Sequence, residues 1–175
     1  MCTGNICRSP LAEHLLRRHL HERRVDATVR SAGLLEDGRP ATTTGLESGI
    51  AMGVDLTSHR SRRLSEAMIR SADLIVTMAR HHLRDVIVRE RAAMSKAFTL
   101  KELVRRAEAA RSRPPDVDLA DWIAGLAAGR RREDLLDAST DDDVADPIGQ
   151  ARPVYDRMGA EVDDLLRRLV LALWP

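Results

Sequence analysis

The chain opens MCTGNICRSP (residues 1–10), and this stretch fixes how the rest is read. Cys2 and Arg8 are separated by five residues, and Ser9-Pro10 marks a helix start. Serine suits the cap, proline the first helical position, and Leu11, Leu15, Leu16, His19 and Leu20 then fall on one stripe. Between them, Thr3, Gly4, Asn5, Ile6 and Cys7 make a loop able to wrap a phosphate. The small Thr3 and Gly4 let the backbone curl until successive N–H groups point inward. The helix adds its positive end. Arg8 supplies a planar fork that matches two phosphate oxygens. A thiol in such a field ionises readily, which makes Cys2 a nucleophile aimed at phosphorus. The Ser9 hydroxyl can stabilise charge on that sulfur, and Asn5 can brace the loop. Cys2 and Cys7 as a zinc pair lack the further Cys or His partners that a closed site needs.

Outward from the loop, helical and extended patterns alternate. Ala27–Ala32 (ATVRSA) reads as a short strand ending at Gly33, and residues 34–41 as a loop. A helix is expected from about Thr42 to Met52, stopped by Gly53, and a short capped helix over Ser65–Ser71. Asp73–Met78 (DLIVTM) is a compact apolar strand and Lys96–Thr99 a brief one. Helices follow each, over Arg80 to about Arg91 and Leu100–Ala109, and the last helix runs from about Pro153 to Leu173. His81 and His82 are adjacent on their helix and are expected at the surface; His59 is expected to be a structural hydrogen-bonder. Strands spaced by helices imply an α/β fold: a small doubly wound parallel sheet flanked by helices, with its functional crevice at the carboxyl ends of the strands.

With 175 residues the chain is expected to form a single domain, residues 1–175. Residues 111–143 form an irregular insertion, broken by Pro114-Pro115, and carry Leu119, Trp122, Ile123 and Leu126 on one amphipathic helix. An arginine run (Arg130–Arg132) and an aspartate run (Asp141–Asp143) follow, and the segment is expected to be a solvated surface element. The 28 basic and 27 acidic residues leave a net charge of +1, so no polyanion-binding bias follows. Four aromatics (Phe98, Trp122, Tyr155, Trp174) argue against a nucleic-acid stacking platform. No apolar run approaches the roughly 18 residues of a membrane helix, and no signal peptide opens the chain. Two cysteines close together at one end are no secreted disulfide scaffold, so a cytoplasmic setting is expected.

The nonapeptide CTGNICRSP resembles the active-site loop of the low-molecular-weight protein tyrosine phosphatases. The likeness continues in RSAG (Arg30–Gly33), GVDLTSHRSRRLS (Gly53–Ser65), ADLIVTM (Ala72–Met78) and ADPIG (Ala145–Gly149). The resemblance implies a two-step phosphomonoesterase without metal or other cofactor. Cys2 attacks phosphorus while Arg8 and the loop amides hold the oxygens. Asp146 protonates the leaving group and then activates water against the phosphocysteine. Pro147 stiffens the loop and keeps Asp146 extended. Ser31 matches a family serine that bonds the phosphate loop, and Cys7 a second cysteine able to form a reversible, protective disulfide with Cys2. The expected partners are phosphorylated proteins or small aryl phosphates.

Two departures from the family pattern matter. An apolar strand of about 5–6 residues leads into the cysteine in the family, whereas only Met1 precedes Cys2 here. That strand, central in the sheet, is therefore missing from this sequence, and the natural protein is expected to begin upstream. If the absence is real, a non-catalytic phosphate-binding protein is the alternative. Secondly, tyrosine-directed members wall their pocket with aromatics, where this chain has Leu34, Leu35 and Ile148. A related branch that removes phosphate from arginine resembles this chain at FTLKE (Phe98–Glu102) and in the short Asp-Pro-X-Gly loop. That branch carries threonine in place of Ile6, so phosphotyrosine is the favoured substrate and phosphoarginine the alternative.

Overall fold

A computed structural model describes residues 1–135 and 139–175, with Arg132 in backbone only; residues 136–138 of the expected insertion lie outside the described residues. The chain is α/β, with a small parallel sheet between helices. The helices are α1 (Arg8–Glu22), α2 (Thr43–Ala51), α3 (Glu66–Ser71), α4 (Arg80–Arg89), α5 (Leu100–Ala109), α6 (Leu119–Leu126) and α7 (Arg152–Leu173). The strands β1 (Ile75–Thr77) and β2 (Ala97–Thr99) run parallel, Val76 opposite Phe98.

Alternation along these strands divides the core. Ile75 and Ala97 face one way, into a cluster with Ile69, Leu83, Val86 and Ile87 of α3 and α4. Phe98 faces the other way, into the larger cluster formed by α1, α5, α6 and α7. A side-chain period of two thus gives the sheet two buried faces, as parallel sheets require. The long α7 packs across α1, α2 and α5 and closes the larger side.

Local signals account for most helix boundaries. Thr42, Ser65 and Thr99 each cap a helix by accepting an amide two or three residues inside it. Gly53, at φ +72°, follows the end of α2 where a left-handed residue is needed. The start of α1 departs from the expected Ser9 cap. The helix begins at Arg8 with Cys7 as its cap and no side-chain capping bond.

The expected strand at Ala27–Ala32 does not form. Only Gly33 makes ladder contacts, with Cys2 on one side and Arg63 on the other. Ala27, Thr28 and Arg30 are exposed, so their backbone groups meet water and incur no burial penalty. Met1 and Cys2 lie between this segment and β1: the Met1 amine donates to Val76 O, Met78 N–H to Met1 O (3.0 Å) and Cys2 N–H to Ala32 O (3.3 Å).

The region after Pro114-Pro115 is not a wholly solvated element. Trp122, Ile123 and Leu126 of α6 are buried in the larger core. The Arg130 guanidinium is folded over the Phe98 ring, 4.5 Å from its centroid, donates to the carbonyls of Met94 and Ala97, and pairs with Glu102. Burial of one helix face and one arginine ties the segment to β2 and α5.

Candidate active site

Residues 2–8 form a closed loop at the carboxyl end of the Met1–Cys2 segment, beside the end of β1. Its carbonyls are tied outward. Thr3 O accepts from Leu34 and Leu35 N–H, Asn5 O from His59 Nε2 (2.6 Å), Ile6 O from Thr42 N–H (2.9 Å) and Cys7 O from Leu11 N–H. No amide from Thr3 to Cys7 meets an acceptor among the described residues. Asn5 at φ +50° makes the bend that permits this, a conformation asparagine tolerates better than most residues. Carbonyls out and amides unpaired is the arrangement of an anion nest, and the uncapped end of α1 adds to its positive field.

A buried chain of side chains runs beneath the loop. Arg62 N–H donates to Asn5 Oδ1 (2.8 Å), which fixes the amide orientation. Asn5 Nδ2 must then donate both protons, one to Ser9 Oγ (2.9 Å) and one to Ser31 Oγ (2.8 Å). Ser31 passes its own proton to the Glu13 carboxylate, which also accepts Ser31 N–H (2.8 Å). Ser9 Oγ lies 3.0 Å from Cys2 Sγ and has its hydroxyl proton free to donate to it. The chain Glu13–Ser31–Asn5–Ser9 thus ends beside the sulfur with a hydroxyl able to donate to it. Glu13, 5 % exposed and gripped by Arg17, was not expected from the sequence; its signal is an acid on the buried face of α1.

The two cysteines are free and buried, and they differ in chemistry. Burial first, and the neighbouring Cys2 second, push the Cys7 thiol up to about 12. Cys7 thus stays protonated under the loop, while Cys2 has the Ser9 hydroxyl beside its sulfur.

Arg8 is 4 % exposed and spans the loop to the segment before α7. Its Nη1 donates to Val144 O (3.1 Å) and its Nη2 to Asp146 Oδ2 (2.8 Å). Asp146 is half-exposed at the rim, and its other oxygen accepts Ile148 N–H (3.3 Å). Pro147 is buried and begins a turn closed by Gln150 N–H. Asp146, distant in sequence, is thereby joined to Arg8 of the loop that begins at Cys2. The neighbouring aspartates are not a solvated run. Asp142 is buried against Arg105 (2.5 and 3.2 Å) and Arg80, and the Arg105 hydrogen bonds hold its carboxyl below the usual range. Asp143 accepts Arg80 N–H (2.7 Å) at the start of α4. Both anchor the approach to Asp146.

Gly33 lies against the loop backbone. A Cβ there would stand 2.7 Å from Thr3 O and 2.8 Å from Asn5 N. Thr3, Gly4 and Ile6 are partly exposed at the rim, with Leu34 half-buried and Leu35 and Ile148 exposed beside it. His59 is buried, as a structural hydrogen-bonder should be. His82 is also fully buried, against expectation, and its Nε2 lies 2.9 Å from Thr3 Oγ1.

The profile of the family "Low molecular weight phosphotyrosine protein phosphatase" matches residues 1–121. The chain belongs to the low-molecular-weight phosphatase family. A probable low molecular weight protein-tyrosine-phosphatase EpsP of Ralstonia solanacearum is 35% identical over 104 residues, covering 59% of this chain and 69% of that protein. The protein-arginine-phosphatase of Bacillus subtilis is 28% identical over 174 residues, covering 99% and 93%. Among solved structures, a low molecular weight protein tyrosine phosphatase from T. tengcongensis superposes with a TM-score of 0.72 at 28% identity, over 97% of this chain and 93% of that one. A mutant of YwlE from Bacillus subtilis gives 0.71 at 28%, over 96% and 91%. Family members hydrolyse phosphoric monoesters, and this chain is such a hydrolase by membership. Among the described residues no helix is long and apolar enough to cross a membrane.

Proposed function

We propose that this chain is a cytoplasmic protein tyrosine phosphatase, one domain over residues 1–175, working through a phosphocysteine intermediate. The observation that carries the reading is the loop of residues 2–8: outward carbonyls, unpaired amides, and a sulfur beside the Ser9 hydroxyl at the end of a buried hydrogen-bond chain. A phosphoryl group seated there takes the loop amides and the Arg8 fork, displacing the Asp146 carboxylate from Arg8. Cys2 Sγ attacks phosphorus in line and the ester P–O bond breaks. Freed from Arg8 at the rim, the Asp146 carboxylate takes up a proton from solvent, delivers it to the departing oxygen, and then takes one from the water that cleaves the S–P bond. Inorganic phosphate leaves and Cys2 is restored.

The apolar rim of Ile6, Leu34, Leu35 and Ile148 suits the faces of a phosphotyrosine ring. Phosphoarginine is the second reading, favoured by the near full-length match to the Bacillus subtilis arginine phosphatase. Turnover of para-nitrophenyl phosphate, absent in Cys2→Ser and lowered about 10²–10⁴-fold in Asp146→Asn, tests the mechanism. Parallel assays on phosphotyrosine and phosphoarginine peptides decide the substrate. Full activity in Cys2→Ser would end the reading.

A further inference from the structure

Among the described residues, two buried side-chain nitrogens have no hydrogen-bond partner: Arg130 Nη2 and His82 Nδ1. The rest of the Arg130 guanidinium is committed to Glu102, Met94, Ala97 and the Phe98 ring, so it is a clamp between segments. His82 is different, because its other nitrogen meets the phosphate loop at the Thr3 hydroxyl.

The His82 ring is neutral in ordinary buffers. Burial first, then the nearby His81, Arg8 and amino-terminal charges, push it down to about 3. A neutral imidazole carries one proton, and the surroundings choose where. On Nδ1 that proton would be a buried N–H with no acceptor, which native structures rarely leave. On Nε2 it is used, since Thr3 Oγ1 lies 2.9 Å away. His82 therefore donates and Thr3 accepts. The Thr3 hydroxyl keeps its own proton, and no described side chain or carbonyl takes it. Thr3 itself sits between Cys2 and Gly4, partly exposed, in the ring of unpaired amides.

We propose that His82 is a positioning residue that turns the Thr3 hydroxyl into a donor for a phosphoryl oxygen of the bound substrate. The inference rests on the proposed reading of the loop as a phosphate cradle. It adds a side-chain contact to the backbone ones and gives the buried histidine its role. His82 touches no substrate; it acts through Thr3.

Two measurements test it. In the ¹⁵N-labelled protein at neutral pH, the His82 ring is expected to show a bare, pyridine-type Nδ1 and a protonated, pyrrole-type Nε2; the reverse pattern overturns the proposal. In kinetics with para-nitrophenyl phosphate, Thr3→Val is expected to raise both KM and the inhibition constant of inorganic phosphate by about tenfold. Thr3→Ser and His82→Gln, which keep the hydroxyl and an amide donor, recover most of this. His82→Leu matches Thr3→Val, and the double variant is no worse than either single one. Additive losses, or Thr3→Val with wild-type KM and phosphate inhibition, overturn the proposal. Should His82→Leu fail to fold, the Thr3→Val and Thr3→Ser pair still decides. An inactive wild-type protein sinks the phosphatase reading instead, and the ring tautomer is then still measurable.

Discussion

Replacing His82 by glutamine removes a buried group whose proton affinity differs between folded and unfolded chain. Unfolded, the imidazole takes a proton near 6.5; folded, only near about 3, because burial, His81, Arg8 and the amino terminus oppose its charge. Between those values the unfolded chain binds the extra proton, so stability rises with pH and is lost as pH falls below about 6.5. Each unit of difference is about 1.4 kcal/mol, so the full loss approaches about 5 kcal/mol near pH 3. That is comparable to the whole stability of an ordinary domain, about 5–15 kcal/mol. With a urea slope of about 1–3 kcal/mol per molar, the wild-type midpoint should fall by roughly 0.5–1.4 M per pH unit from this group alone. Paired carboxylates such as Asp142 add acid sensitivity to both proteins equally. The assay is therefore the difference between urea midpoints of wild type and His82→Gln at pH 7, 6, 5 and 4. The gap should close steadily toward acid, or reverse in favour of the variant. Midpoints that fall in parallel would show that His82 is protonated in the folded state, and would refute the reasoning.

Three further outcomes follow from the geometry. Gly33→Ala drives a methyl to within 2.7–2.8 Å of the loop backbone; it should cost about 1–3 kcal/mol in chemical denaturation and depress kcat, since backbone cannot swing aside as a side chain can. Glu13→Gln keeps an oxygen for both Ser31 bonds but strips them of charge, and turns an NH2 toward Arg17 and Arg62 in place of the buried carboxylate oxygen. A loss of about 2–4 kcal/mol is expected in thermal or urea unfolding, and unchanged stability would remove Glu13 from the network. Trp122→Ala should cost about 3–5 kcal/mol by urea titration if α6 belongs to the core; an effect within about 0.5 kcal/mol would return the segment to the surface.

The hydrogen-bond chain under the loop explains why these side chains act together. Orientation enters where Arg62 N–H meets Asn5 Oδ1, which makes Asn5 Nδ2 the donor to both Ser9 and Ser31. A carboxylate at Glu13 terminates one branch and the Cys2 sulfur the other. A line of satisfied donors and acceptors is stable beneath the loop, where Asn5, Ser9, Ser31 and Glu13 are all buried.

The sequence alone determined the loop, its Cys2 and Arg8, the Asp146-Pro147 turn and nearly every helix, because these are local matters. A cap, a proline, a glycine with room to turn or a stripe of leucines acts within a few residues. Sequence also identified the Ser31 and His59 contributions, through the resemblance and through residue type. Only tertiary structure decided that Ala27–Ala32 stays out of the sheet, since a strand exists through its neighbour and not through its own alternation. Only packing placed Trp122 inside, Asp142 against Arg105, and His82 behind Thr3, across a sequence gap of 79 residues. Burial and partner choice are properties of the assembled chain: a charge or an imidazole becomes structural or positioning according to what is folded around it.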